Sequence, residues 1–156
     1  MTSTEDLKEK FWKSLADSPF IFLELDADPK TAVPMTAQLD KDANSTIWFF
    51  TTKDHTFAHG GPATATFASK GHDMFARFSG VLSEETSRER FEKQWSKPVE
   101  AWFPGGKDDP NLLMLRMDLG NAEIWNSDLG FVDTAKMLMG FDVREDAKEE
   151  HTETAL

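Results

Sequence analysis

Side chains able to do chemistry are few in this chain, and most familiar ways of using them are missing. None of its 156 residues is cysteine, so thiolate nucleophiles, disulfides and cysteine-bound metals are excluded. His55 and His59 stand four apart, the spacing at which two imidazoles on one helix face can share a metal. No HExxH accompanies them, and His72 and His151 add no matching spacing. Two such histidines read as solvated helix-surface side chains. There is no GxSxG elbow for a nucleophilic serine, and neither a Walker A loop nor a GxGxxG fingerprint. Carboxylates number 28, too many to single out an acid–base pair, and most read as solvating charge.

What remains is chemistry at the ends of apolar runs. "PMTAQ" sets the polarizable Met35 beside Thr36, with Gln38 further along. "WFFTTKDH" brings Phe50, Thr51, Thr52, Lys53 and His55 to the end of one apolar segment. Hydroxyls, a lysine and fresh helix amides at a strand end can hold a phosphate. The same residues can also do no more than end a strand and cap a helix. "AWFPGGKDDP" places Trp102 and Phe103 beside a Pro-Gly-Gly turn. Aromatics on such a loop either plug the chain's own core or belong to a surface that meets something else.

The elements around these stretches follow from periodicity. Residues 2–17 read as a helix capped by Ser3 or Thr4, with Leu7, Phe11, Trp12 and Leu15 along one stripe. Phe20–Leu25 is a short strand, Asp26–Lys30 a hairpin-like loop, and Val33–Leu39 a second strand. "TIWFFTT" is apolar on both sides, as in a strand covered on both faces. A short helix then ends at Gly60-Gly61-Pro62. "ATATFAS" and "HDMFARFSGVLSEE" are the next strands. The segment from Ser87 reads as helical to Lys97, broken at Pro98 and briefly resumed. A long strand from Asn111 is bent at Gly120-Asn121, and residues 130–140 form a last amphipathic segment. Helices around strands joined by short polar turns give an α+β fold, with an antiparallel meander expected to close into a barrel. One domain over residues 1–140 is expected, followed by a charged, flexible tail over 141–156.

A formal charge of −11 argues against nucleic acid and against an anionic membrane surface, since both demand a concentrated basic face. No apolar run approaches the length of a membrane span. "MTSTEDLKEKFWKSL" lacks the basic start, apolar run and cleavage site of a signal peptide. A cytoplasmic protein is therefore expected.

Taken together and in this order, LKEKFW, PMTAQL, IWFFTTKD, FSGVL, AWFPGGKDDP and AEIW resemble the general stress protein 26 family. Its members are bacterial proteins of the pyridoxamine 5′-phosphate oxidase-like group, built on the FMN-binding split β-barrel. The resemblance runs from about Leu7 to Trp125, and AWFPGGKDDP and PMTAQ are its most specific pieces. It implies a mainly antiparallel split barrel with peripheral helices, and a homodimer holding FMN at the subunit interface, with FAD or riboflavin left open. Met35 and Thr36 match the strand along the flavin. Phe50, Thr51 and Thr52 match the strand end at the ring edge and ribityl-phosphate arm. Trp102 and Phe103 are implied to close the site across the interface, and Trp125 matches a late-strand aromatic near it.

Two departures stand out. Family members commonly carry an arginine just before PMT, where this chain has Val33, and a lysine where it has Phe57. Lys53 and a protonated His55 are the substitutes at hand, with Arg77 more distant. A histidine does not replace a bidentate arginine, so weakened or altered FMN binding is expected. The resemblance then implies a flavin-binding stress protein, either an oxidoreductase on an unidentified small substrate or a non-catalytic binding protein with a decayed flavin site. Pyridoxamine 5′-phosphate oxidase activity is not expected, because no basic set for a substrate phosphate is visible.

Overall fold

A computed structural model describes residues 3–40, 45–126, 138–140 and 151–156. Helix α1 (Thr4–Asp17) begins in a capping box. The Ser3 hydroxyl accepts the Asp6 N–H at 3.1 Å, and the Asp6 carboxylate accepts the Ser3 N–H at 3.3 Å, satisfying donors that the first turn leaves open. Its stripe of Leu7, Phe11 and Leu15 is fully buried. Phe11 lies edge-on to Phe78 and Phe67 of the sheet, at 5.4 and 6.1 Å between ring centres.

The seven strands are β1 (Phe20–Leu25), β2 (Asp28–Thr36), β3 (Thr46–Thr52), β4 (Gly61–Ala68), β5 (Met74–Glu84), β6 (Leu112–Asn126) and β7 (His151–Ala155). They form one antiparallel sheet in the order β2-β1-β4-β5-β6-β3. The fifteen-residue β6 organises it. Its first half pairs with β3 (Thr46↔Asp118 to Thr52↔Leu112), and its second half pairs with β7 along the same edge (Asn121↔Ala155 to Trp125↔His151). Between these halves the register against β5 slips from Phe78↔Ala122 to Gly80↔Leu119. The extra residue falls at Gly120-Asn121, the bend expected from the sequence, and is a β-bulge.

The fold is α+β with a sheet that does not close. Among the described residues, the end strands β2 and β3 are joined only by the Gln38↔Trp48 bridge, whose two backbone bonds measure 2.7 and 3.0 Å. β2 starts earlier than the sequence suggested because the turn before it is just Asp26-Ala27. Pro29 and Pro34 fit there because an edge strand has ladder positions that need no N–H.

β3 is covered on both faces, as its composition predicts. Ile47 and Phe49 enter the core. On the other face, helix α2 (Arg88–Gln94) and the residue after it lay Phe91 and Trp95 against Phe50, each 5.6 Å away and near-perpendicular. The Trp48 indole donates to Glu85 at 2.9 Å, beneath the Arg90 guanidinium.

Three expectations are corrected. The helical segment breaks at Trp95-Ser96, not at Pro98. Ser96 caps a four-residue helix α3 (Lys97–Glu100), in whose first turn Pro98 has no hydrogen bond to lose. Next, the helix before Gly60 is a single 3-10 turn, Thr56–His59. With three residues per turn, positions 55 and 59 do not share a face. Finally, the tail is not free throughout, since His151–Ala155 alternates threonines on a vacant edge of β6 and becomes β7. Leu156 packs against the core. Of the segment expected over 130–140, residues 130–137 lie outside the described residues, as do 141–150.

Candidate functional site

The end of β3, the end of β2 and the loop after α3 converge on one cleft of about 350 Å³. Ladder pairing fixes the first wall: Phe50↔Met114, Thr51↔Leu113 and Thr52↔Leu112 hold β3 against the start of β6. The Gln38↔Trp48 bridge swings the end of β2 beside it, bringing Met35 and Thr36 to the opposite wall. α3 and the turn after it supply the third side.

The loop geometry follows from its residues. Trp102 and Phe103 continue the α3 spiral, their N–H groups bonding to Val99 and Glu100 carbonyls at 3.0 Å. Gly106 then adopts φ +67°, a left-handed conformation that glycine takes freely and other residues resist. Lys107 pairs with Glu92 of α2, tying the loop to its own chain. Phe103 is half-buried 6.3 Å from the Trp95 ring, while Trp102 stands 81% exposed on the cleft rim.

Eight of the ten residues singled out from sequence therefore line this one cleft: Met35, Thr36, Phe50, Thr51, Thr52, His55, Trp102 and Phe103. Trp102 and Phe103 face β2 and β3 of their own chain. Lys53 does not line the cleft; its side chain is exposed, and its backbone N–H donates to the Asn111 carbonyl at 2.8 Å. Trp125 lies elsewhere, on the outer face of the sheet, stacked on His151 at 5.4 Å. Pro34, Gln38 and Val99 also line the cleft. The first two belong to the quoted PMTAQ stretch, but nothing local marks Val99, which arrives because Ser96 starts a helix there.

The chemistry of the lining is apolar planes with neutral donors. Phe50, Trp102 and Phe103 give flat surfaces, and Thr36, Thr51, Thr52 and Gln38 give hydroxyls and an amide. His55 caps the 3-10 turn, its Nδ1 accepting the Phe57 N–H at 3.1 Å. That bond fixes the neutral tautomer with its proton on Nε2. Beside it, the Thr52 hydroxyl and then the Asn111 amide hold Asp54 below the usual carboxylate range. Asp54 is therefore an ionised carboxylate on the solvent side of the strand end, next to the exposed Lys53. Among the described residues, no lysine or arginine lines the cleft.

Comparisons with known proteins agree on kinship. The pyridoxamine 5′-phosphate oxidase-like family profile matches residues 6–146. The crystal structure of the general stress FMN/FAD binding protein from the phytopathogen Xanthomonas citri is similar at 42% identity and TM-score 0.74, over 82% of this chain and 94% of that one. A protein from a Jannaschia species described as a general stress protein 26 is similar at 26% identity and TM-score 0.78, over 99% of this chain and 100% of its own. General stress protein 26 of Bacillus subtilis is 34% identical over 55 residues, which is 35% of this chain and only 39% of that protein's length. With a profile match over most of its length, the chain belongs to the pyridoxamine 5′-phosphate oxidase-like family, among its general stress proteins.

Proposed function

We propose that this chain is a flavin-binding stress protein that takes FMN in the cleft between β2, β3 and the Trp102–Phe103 loop, and that it works as a cytoplasmic homodimer. The carrying observation is that Met35, Thr36, Phe50, Thr51, Thr52, His55, Trp102 and Phe103, from three distant stretches of sequence, line one cleft. Its lining fits an isoalloxazine ring, with flat aromatic walls on the faces and hydroxyl or amide donors at the edges. Phe50, Phe103 and Trp102 would sandwich the ring and exclude water from it. Thr36, Gln38 and the His55 Nε2–H would orient its polar edge. Bound flavin supplies electron or hydride transfer to a small substrate, and the open rim beside Trp102 is the side from which that substrate enters.

The fit is poorer at the phosphate. Thr51 and Thr52 offer neutral donors, no lysine or arginine among the described residues lines the cleft, and Asp54 is held anionic beside it. This favours a second reading, a dimeric binding protein whose flavin site has weakened past use in turnover.

A visible spectrum after FMN addition and desalting tests the first reading. Retained bands at roughly 370 and 450 nm are the expected outcome, and a colourless protein counts against tight binding. Trp102→Ala is then expected to weaken flavin about tenfold in a fluorescence titration, the scale of one lost aromatic contact. Unchanged affinity would place the ring elsewhere. Bound flavin that no reductant and acceptor pair turns over would leave the second reading standing.

A further inference from the structure

Among the described residues nothing covers the outer face of β1, β4, β5 and β6, and its side chains are not those of a solvated sheet. Phe20 is 63% exposed, Phe22 54%, Phe75 40% and Trp125 37%. Together these exposures equal about two whole aromatic side chains, roughly 300–500 Å², or about half of one partner's share of a standard interface.

Strand register lays this face out in level rows. Pro34, Phe22, Thr66, Arg77, Glu123 and Glu153 stand side by side across β2, β1, β4, β5, β6 and β7. Two residues along, Thr36 pairs with Phe20 at one side, and Ala68, Phe75, Trp125 and His151 pair in turn at the other. Pro34 and Thr36, at one end of these rows, are also lining residues of the cleft. The bare face and the proposed flavin site are therefore one continuous surface.

We propose that a second copy of this chain sits on this face, about a two-fold axis parallel to the strands between β1 and β4, and that Arg77 supplies the cation for the flavin phosphate in the partner's cleft. The inference rests on the flavin and dimer reading above. Such an axis keeps each residue at its own level and reflects strand positions across it, as an isologous contact requires. Phe22 then meets Thr66 and Phe20 meets Ala68, large side chains against small ones. Phe75 meets Thr36. Arg77 stands three strands from Pro34, about 14 Å at normal strand spacing, and the axis carries the partner's Arg77 onto Pro34 at the cleft rim. The same operation carries the partner's Trp125 one strand past β2, over the cleft mouth. That accounts for a tryptophan so far from the cleft of its own chain.

Arg77 is suited to the role. Its Nη2 is engaged by Glu123, which orients the guanidinium beside the Trp125 ring at 5.8 Å. The side chain is still 57% exposed, leaving its other N–H groups for a phosphate oxygen. A cleft lined by no lysine or arginine among the described residues of one chain gains a guanidinium in the pair.

Sedimentation velocity and paired FMN and riboflavin titrations test this on the intact chain. The wild type is expected to sediment as a dimer, and Phe22→Asp as a folded monomer with an unchanged circular dichroism spectrum and weakened FMN binding. Arg77→Gln is expected to remain dimeric and to lose about tenfold in FMN affinity, while riboflavin, which has no phosphate, binds as before. A monomeric wild type, or a dimer undisturbed by Phe22→Asp, overturns the face. An Arg77→Gln variant that shifts both flavins equally, or neither, overturns the role of Arg77. A wild type that takes neither flavin overturns the flavin reading and Arg77's role with it, while sedimentation still decides the face.

Discussion

β1 and β3 are both aromatic strands, FIFLEL and TIWFFTT, yet the chain treats their outer faces in opposite ways. Over β3 it lays α2, so Phe50 meets Phe91 and Trp95, and Trp48 lies under Arg90. Over β1 none of the described residues lies, and Phe20 and Phe22 face outward. Apolar composition thus decides that a face must be covered, while topology decides by what. β3 sits at a sheet end beside the 27-residue excursion between β5 and β6, which folds back as its cover. β1 is followed by a two-residue turn and has no segment to spare. The flavin cleft proposed above lies where the two treatments meet, with one wall from the covered strand and one from the strand beside the bare one.

The comparison breaks most visibly in the core beneath it. Phe49→Ala, on the fully buried inner face of β3, is expected to cost about 3–5 kcal/mol in urea unfolding of the protein. Phe22→Ala, on the bare face, is expected to stay within about 0.5 kcal/mol for the isolated monomer. A large effect of Phe22→Ala at concentrations where the chain is monomeric would mean that its own chain covers that face.

Removing the cover gives a smaller loss. Trp95 is half-buried and touches Phe50, Phe91 and Phe103, so Trp95→Ala is expected to cost about 2–3 kcal/mol. It should also loosen Phe103 and weaken flavin retention. Stability lost with flavin affinity kept would separate the cover from the cleft wall. Gly106→Ala strains a residue at φ +67° and is expected to cost about 1 kcal/mol, read as a lower melting temperature. If it cost nothing, the turn that carries Trp102 and Phe103 would not depend on glycine.

Much of this was legible in the sequence. The Ser3 cap and the stripe at Leu7, Phe11 and Leu15 specify α1, and short apolar runs bounded by turn residues give β1 and β3 with the bounds observed. Gly120-Asn121 marks the bulge. These are local signals of periodicity and turn chemistry. The PMTAQ, FFTT and AWFPGG stretches gave the cleft only through family resemblance, because what unites them is pairing with distant β6 and a single bridge between residues 38 and 48. Lys53 shows the limit of proximity in sequence: one residue past Thr52, the chain turns and its side chain leaves the cleft. The cap role of His55 was equally hidden, since it depends on a 3-10 turn that helical spacing does not foretell. β7 was missed because a polar HTETA segment becomes a strand only where an edge of β6 awaits it.

The least effect expected concerns the polar frame of the covered face. Arg116 holds Asp118 with bonds of 2.8–3.3 Å and reaches Glu85 at 3.5 Å, the carboxylate that accepts the Trp48 indole N–H. The Arg116 guanidinium, followed by the Thr46 hydroxyl, holds Asp118 below the usual carboxylate range. A carboxylate depressed in the folded state binds protons less readily there than in the unfolded chain. Its contribution to stability is therefore full above the ordinary aspartate value of about 3.9 and is lost as pH falls through the depressed one. Because the side chain is 53% exposed, that contribution is screened and should not exceed about 1 kcal/mol. Asp118→Asn is expected to lower the urea midpoint slightly at pH 6 and to flatten its decline between pH 5 and pH 3. Parallel declines in the two proteins would show that the covered face is held by its aromatic rings, with the ion pair contributing nothing measurable.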